Sequence, residues 1–421
     1  MEITDSVTLA GVRARFPFLA NTGYATLTAG SAALLLALLM IAGRFLSTAD
    51  YGRFSFALAL TTIVETIMDV GLGQVTVRAV ARDKDKATGL FRQVLGLKLV
   101  WVAVGLAILA VVTPILKTDP RIIALCYVMG LSSAIRSYLL TARGLLQGLG
   151  RFDLEALAVV ADRLMLLAAG GAALWMGYGL FGLAVAFVAA RVTILAAVMI
   201  VLQNVLGSVR PAFDRAIWSD LQTAALPLGL FMIALNTYTL IDTVILGVMR
   251  SDAEVGWYAA SYRVYDGLTY APAILAAVLT PRLSYLFVHD RPAHRRLMMR
   301  VLGGSAALGV LLGGGAMLVA RPLVVLLFGS RYAPAALPLQ ILAGGAPFVF
   351  ATWILHAAAI STNLDRRLLV TTVIGLAANV GLNVVLIPRW GIAGAAWATV
   401  IAEGITVALL FVQLQRRLRE K

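Results

Sequence analysis

The chain has 421 residues, 61% of them hydrophobic and 13% charged, with a mean hydropathy of +0.90; a soluble domain carries roughly 45–50% apolar and about 25% charged residues. No soluble fold of this length buries that much apolar surface, so the composition excludes a soluble enzyme or binding module and indicates an integral membrane protein. The net charge of +14 comes from arginine above all, 30 of the 35 basic residues; they sit in short gaps between apolar runs, as a positive-inside bias requires, not clustered on a polar domain as in nucleic-acid binders.

Residues 1–21 are polar, then basic, with no small-residue cleavage site after a short apolar core, so a cytoplasmic segment ahead of an uncleaved first span is expected. By the ruler of about 20 mostly apolar residues per crossing, twelve spans follow. They fall near residues 23–45, 53–76, 90–115, 121–147, 153–176, 179–205, 218–248, 257–286, 297–320, 333–360, 367–388 and 391–414. With the N-terminus inside, 20 basic residues, Arg78, Arg82, Arg151 and Arg295 among them, lie on the inner face. Eight, including Arg44, Arg53, Arg250 and Arg331, lie outside. Both termini are therefore expected in the cytoplasm. No connecting segment exceeds about fifteen residues, which leaves no room for a soluble catalytic domain. The single cysteine, Cys126, excludes an intrachain disulfide, and three histidines without a spacing pattern give no metal site.

The chain punctuates itself twice in the same way. "STADYGRFSFA" (residues 47–57) is echoed by "SDAEVGWYAAS" (251–261), and "YGLFGLAVAFVAAR" (178–191) by "WGIAGAAWATVIAE" (390–403). Two echoes in order, at the start and end of each half, predict a duplicated unit. The expected fold is an all-α polytopic membrane protein with two six-helix lobes: an N-lobe over 22–206, a linker over 207–217 and a C-lobe over 218–421. Six spans per half is an even number, so the repeat is parallel, as in transporters that rock two bundles about a shared site.

Ionisable residues at membrane depth need partners and are functional candidates. Here they are Glu65, Asp69, Lys98, Arg136, Arg143, Glu155, Asp162, Arg163, Arg191, Asp242, Arg263, Asp266 and Glu403. In an antiparallel hairpin, residues equidistant from the turn share a depth. That rule pairs Arg143 with Glu155 and Arg136 with Asp162 as structural ion pairs of the fourth and fifth spans; the spacing of seven keeps each set on one helix face. Asp242 and Arg263 lie symmetrically, to within a residue, about the turn "RSDAEVG" (250–256) and form a further candidate pair. Asp69 and Lys98 could pair across the second inner loop. Arg191 and Glu403 occupy matching positions in the two echoes with opposite charge.

Enzyme motifs are absent. Without a Gly-Lys dipeptide there is no phosphate loop of the G-x-x-x-x-G-K type, and there is no G-x-S-x-G. "DKD" at 83–85 has the D-x-D form of some glycosyltransferases but lies among Arg82, Lys84 and Lys86, the composition of a solvated charge cluster.

Several stretches resemble a known family. "GRFLSTADYGRFSFALALTTIVETIMDVGLGQVTVR" (43–78) is similar to the opening signature of polysaccharide and O-antigen flippases, with Arg44, Tyr51, Gly52, Asp69, Gly71 and Leu72 at the signature positions. "QGLGRFDLEAL" (147–157), "IDTVILGVMRSDAEVGWYAASYRV" (241–264) and "LFGSRYAPAALPLQIL" (327–342) resemble its later links in the same order. The superfamily also holds MATE-type multidrug exporters and peptidoglycan-precursor flippases. The resemblance implies a MATE-like alternating-access transporter, not an enzyme, in a bacterial inner membrane. Its substrate would be an oligosaccharide carried on polyprenyl diphosphate, bound in a cation-lined cavity, since Arg holds phosphate oxygens in bidentate fashion. On that reading Arg44, Lys98, Arg163 and Arg263 are the cavity cations, and Asp69, Asp242 and Asp266 the acids for a coupling proton or ion. An acid whose Arg is drawn away by the diphosphate is left uncompensated, which links substrate binding to proton uptake. No cofactor, metal or nucleic acid is implied; the expected partners are the lipid-linked glycan, membrane lipid and other polysaccharide-assembly proteins. The alternatives are a MATE-type small-molecule antiporter and an integral membrane glycosyltransferase or polymerase.

Overall fold

A computed structural model describes residues 23–24, 27–28, 30–362 and 364–419. The expected N-terminal segment, 1–21, lies outside them. Every described element is helical: α1 (Ala32–Phe45), α2 (Thr48–Asp69), α3 (Leu72–Arg82), α4 (Ala87–Leu116), α5 (Pro120–Gly148), α6 (Phe152–Trp175), α7 (Gly179–Leu206), α8 (Arg215–Met249), α9 (Asp252–His289), α10 (Arg291–Leu318), α11 (Ala320–Phe328), a 3-10 turn (Ser330–Ala335), α12 (Ala336–Gly344), α13 (Ala346–Ser361) and α14 (Asp365–Arg419). Among the described residues nine helices are long and apolar enough to cross a membrane, or ten if the bent pair of 330–344 and 346–361 is one span. The chain is thus an all-α polytopic membrane protein. At 1.5 Å per residue, the 30 residues of α4 exceed the roughly 30 Å hydrocarbon core.

Breaks fall where the chain carries special backbone. Val70 and Gly71, both with positive φ, separate α2 from α3, and the kink inside α14 is at Gly391 (φ 56°, ψ −132°), three residues after Pro388. The repeated punctuation at 47–57 and 251–261 has a local cause. Ser251 accepts the Glu254 backbone N–H while the Glu254 carboxylate accepts from the Ser251 N–H, a reciprocal cap that opens α9. At α2 the Ser47 hydroxyl accepts the Asp50 N–H (3.0 Å) and donates to the Asp50 carboxylate (2.8 Å).

The chain forms two compact units. The first contains Met1–Leu38, Ile67–Ile108 and Val128–Gly229; the second contains Leu39–Thr66, Leu109–Tyr127 and Leu230–Lys421. The first unit's core gathers Phe91, Leu95, Leu139, Leu145, Ile194 and Leu202. The second unit has a core around Leu283, Met298, Ile354, Leu355 and Leu410. In that unit α10 packs on α12 and α13 through Gly309 and Gly313, where any Cβ would meet the Pro347 and Ala343 backbone.

Candidate functional site

In the first unit, Lys98 of α4 is wholly buried and its ammonium meets the Asp69 carboxylate at the end of α2. Arg143 of α5 reaches Glu155 of α6 with Nη2 2.7 Å and Nε 3.0 Å from Oε1, and Gln147 (3.2 Å) and Thr28 (3.2 Å) also donate to this carboxylate. The buried charge is therefore surrounded by donors, as a desolvated carboxylate requires. Asp162 is buried one helical stretch further along α6, and Arg163 is half-buried beside it. Arg191 of α7 is buried, donates to the Ser132 hydroxyl of α5 (2.9 Å) and lies over the Phe187 ring at 5.5 Å. The 83–86 loop outside the spans holds Lys86 2.9 Å from Asp83, and this hydrogen bond keeps Asp83 below the usual carboxylate range.

In the second unit, Arg44 lines a cavity with Phe328, Gly329, Ser330 and Arg331. Its guanidinium donates to the carbonyls of Leu326 and Leu327 (2.9 Å to Leu327), which end α11. Arg331 returns the arrangement, donating to the carbonyls of Gly43 and Arg44 at the end of α1. Helix C-termini present unpaired carbonyls and a negative dipole end, so a cation settles there. Arg53, Lys117 and Asp252 form a cluster, with Asp252 2.8 Å from Arg53 and 3.1 Å from Lys117.

Asp242 and Arg263 take separate partners. Arg263 pairs with Asp266 one turn along α9, at 3.1 Å. Asp242, 2% exposed, sits in a cage of neutral donors from α9 and from both arms of the kinked α14. Asn383 donates to Oδ1 at 2.6 Å, and Thr399 and Tyr258 (3.1 Å) donate to Oδ2. Asn383 also meets Asn379 Oδ1 at 3.0 Å, and Thr399 meets the Ala395 carbonyl at 3.1 Å. Buried polar atoms remain without a hydrogen bond here, Asn383 Oδ1 and Asn379 Nδ2. The cage is rich in oxygen, and its carboxylate has only neutral hydrogen-bond partners, the chemistry of a site for a proton or a small monovalent cation. Reading single residues missed Asn379, Asn383, Thr399 and Tyr258; two asparagines four apart in an otherwise apolar span were the available signal.

Beside this cage lies a cavity of about 310 Å³ lined by Tyr238, Tyr262, Tyr265, Trp353, Asp266 and Glu403, among others. Glu403 is buried and accepts from Thr352 at 2.9 Å. Among the described residues no three His, Cys, Asp or Glu side chains gather where they could hold a metal ion.

Transporters are among the solved structures that share this fold. A multidrug resistance MATE family transporter of the MOP superfamily, in an inward-facing conformation, superposes with a TM-score of 0.78 at 14% identity over 92% of this chain and 94% of its own. The lipid II flippase MurJ, in an inward closed conformation, gives 0.74 at 13% identity over 93% and 87%. A MOP superfamily transporter from Pyrococcus furiosus, described as having a binding pocket of reverse polarity, gives 0.66 at 15% identity over 96% of each chain. At these identities the likeness speaks for the fold. By sequence alone, no curated protein matches the chain. The family model for polysaccharide biosynthesis proteins matches residues 18–287, well over half of the chain, so this MATE-like membrane protein belongs to the polysaccharide biosynthesis protein family.

Proposed function

We propose that the protein flips a polyprenyl-diphosphate-linked oligosaccharide, a precursor of O-antigen, capsule or exopolysaccharide, from the inner to the outer leaflet of a bacterial plasma membrane. The reading takes the chain as twelve helices in two six-helix lobes with both termini cytoplasmic, working by alternating access. The family supports a glycan substrate, and the fold, shared with MATE transporters and MurJ, supports translocation rather than catalysis. The observation that carries coupling is the Asp242 cage: a buried carboxylate among Asn383, Thr399 and Tyr258 has bound partners only of neutral type. Loading it with a proton or monovalent cation would offset the desolvated charge and bias the lobes toward one state. Arg44, Lys98, Arg163 and Arg263 are the candidates for diphosphate contact.

The test is vesicle reconstitution with a fluorescent short-chain lipid-linked oligosaccharide, reading leaflet exposure by a membrane-impermeant quencher. Wild type should move the lipid under an ion gradient. Asp242→Asn should fold and lose gradient dependence. Wild-type vesicles that move an organic cation and leave the glycan in place would sink the proposal. That outcome belongs to a second reading, a small-molecule antiporter, which the 310 Å³ cavity favours through its tyrosines, Trp353 and two acids.

A further inference from the structure

The first unit contains a second cavity, of about 420 Å³, where α3 faces the start of α8. Its walls divide by chemistry. Arg78 and Arg82 of α3 stand on one side with Asp220 of α8 opposite, and Val75, Leu90 and Leu221 supply apolar wall. The short helix α3 is why the two arginines converge. It begins at the Gly71 break, buries Leu72, Val75, Thr76 and Val80, and so turns Arg78 and Arg82, one helical turn apart, to its open face. Neither guanidinium makes an ion pair or hydrogen bond with another described residue.

We propose that this cavity is a docking site for the diphosphate head and first isoprene units of a polyprenyl diphosphate. The proposal rests on the flippase reading, which puts this end of α3 at the cytoplasmic face where such lipids are made available. Two guanidiniums on adjacent turns each take one phosphate in the forked geometry that Arg provides. Asp220 lowers the cavity to a single net positive charge. A phosphodiester has one phosphate and engages one guanidinium in that forked geometry, whereas a diphosphate has two and engages both. The apolar wall is continuous with the cationic one, so head and chain of one lipid can be held together, and the volume falls within the range of ligand pockets, roughly 300–1,000 Å³.

The experiment uses the full chain in zwitterionic nanodiscs, titrated with farnesyl diphosphate as probe, with phosphatidylglycerol as competitor in a separate arm. Wild type should bind the probe saturably. Arg78→Ala with Arg82→Ala should weaken binding at least tenfold, the double lysine variant should weaken it less, and Asp220→Asn should tighten it severalfold. Lys84→Gln with Lys86→Gln, on the neighbouring loop, should leave it unchanged. If the alanine pair fails to fold, Asp220→Asn decides the matter. Wild-type binding in the alanine pair, unchanged binding in Asp220→Asn, or equal competition by phosphatidylglycerol overturns the assignment. Flipping is measured apart from binding. Glycan flux without arginine-dependent binding removes this site and leaves the flippase reading standing; arginine-dependent binding without flux does the reverse.

Discussion

Gly52 and Gly256, the glycines of the two echoed stretches, pack against each other's helix. A Cβ on Gly52 would overlap the Asp252 carbonyl, and a Cβ on Gly256 would overlap the Thr48 carbonyl. Thr48 precedes Gly52 by four residues, and Asp252 precedes Gly256 by four. The contact is thus the same seen from either side. Each stretch needs a Ser-x-x-acid cap to start its helix and a glycine one turn later to let the other backbone in, which is why the chain repeats the pattern.

The first prediction follows from that crossing. Gly52→Ala or Gly256→Ala wedges two backbones apart and should cost about 1–3 kcal/mol, the range for overpacking a tight site. Thermal unfolding in detergent measures it. Gly267→Ala, where nothing stands within 4 Å, is the matched control and should leave the midpoint in place.

A second prediction concerns Glu155. With Arg143, Gln147 and Thr28 all donating to it, removing the cation alone leaves a buried carboxylate short of its main partner. Arg143→Ala should cost on the order of 3–5 kcal/mol, by analogy with buried soluble pairs. Adding Glu155→Gln should recover part of the loss, a coupling that a double-mutant cycle reads directly. Strict additivity of the two single effects would mean the pair is not coupled.

How far the sequence could be read depended on where each turn was placed. Membrane class, helical architecture and family were legible in composition, apolar spacing and the order of moderately specific motifs. Depth in a hairpin was legible only where the turn was correctly bounded. Between α5 and α6 the chain turns within three residues, and Arg143 and Glu155 lie level. Taking 250–256 as the turn put Asp242 level with Arg263 to within a residue. In fact the Ser251–Glu254 cap starts α9 at Asp252, so the middle of the turn lies between Arg250 and Ser251. The residue level with Asp242 is then near Tyr258, and Tyr258 is the one that bonds it. The rest of the cage comes from Asn383 and Thr399, 141 and 157 residues away, a separation that no local spacing rule reaches.

The third prediction tests the cage as an ensemble. Asn383→Ala and Thr399→Val each remove one donor to Asp242 and should reduce ion-coupled flux less than Asp242→Asn does. Because Thr399→Val keeps the shape of the side chain, a folding defect is not expected from it beyond about 1–3 kcal/mol for the lost buried hydrogen bond. Flux measured against the size of the imposed gradient is the readout. Full gradient dependence in all three variants would place coupling elsewhere.

The last prediction arises from Arg191 and Glu403. Arg191 links α7 to α5 through Ser132, and Glu403 links α14 to α13 through Thr352, each at 2.9 Å. In the predicted numbering both join the last span of a half to its fourth. A hydroxyl serves either partner, accepting from the guanidinium in one case and donating to the carboxylate in the other. Packing therefore does not demand the sign of the charge at this position, and its reversal between the halves has to come from what each side chain faces. Glu403 faces the 310 Å³ cavity with Tyr238, Tyr262, Tyr265 and Trp353. Glu403→Gln keeps an oxygen for Thr352 and should preserve the fold, at no more than about 0.5–3 kcal/mol, while taking the negative charge from the cavity wall. Binding of a lipophilic organic cation, followed by calorimetry, should then fall tenfold or more. Glycan flux should persist, since a diphosphate gains nothing from a carboxylate. Lost glycan flux with cation binding intact would reverse the assignment and make Glu403 part of the glycan path.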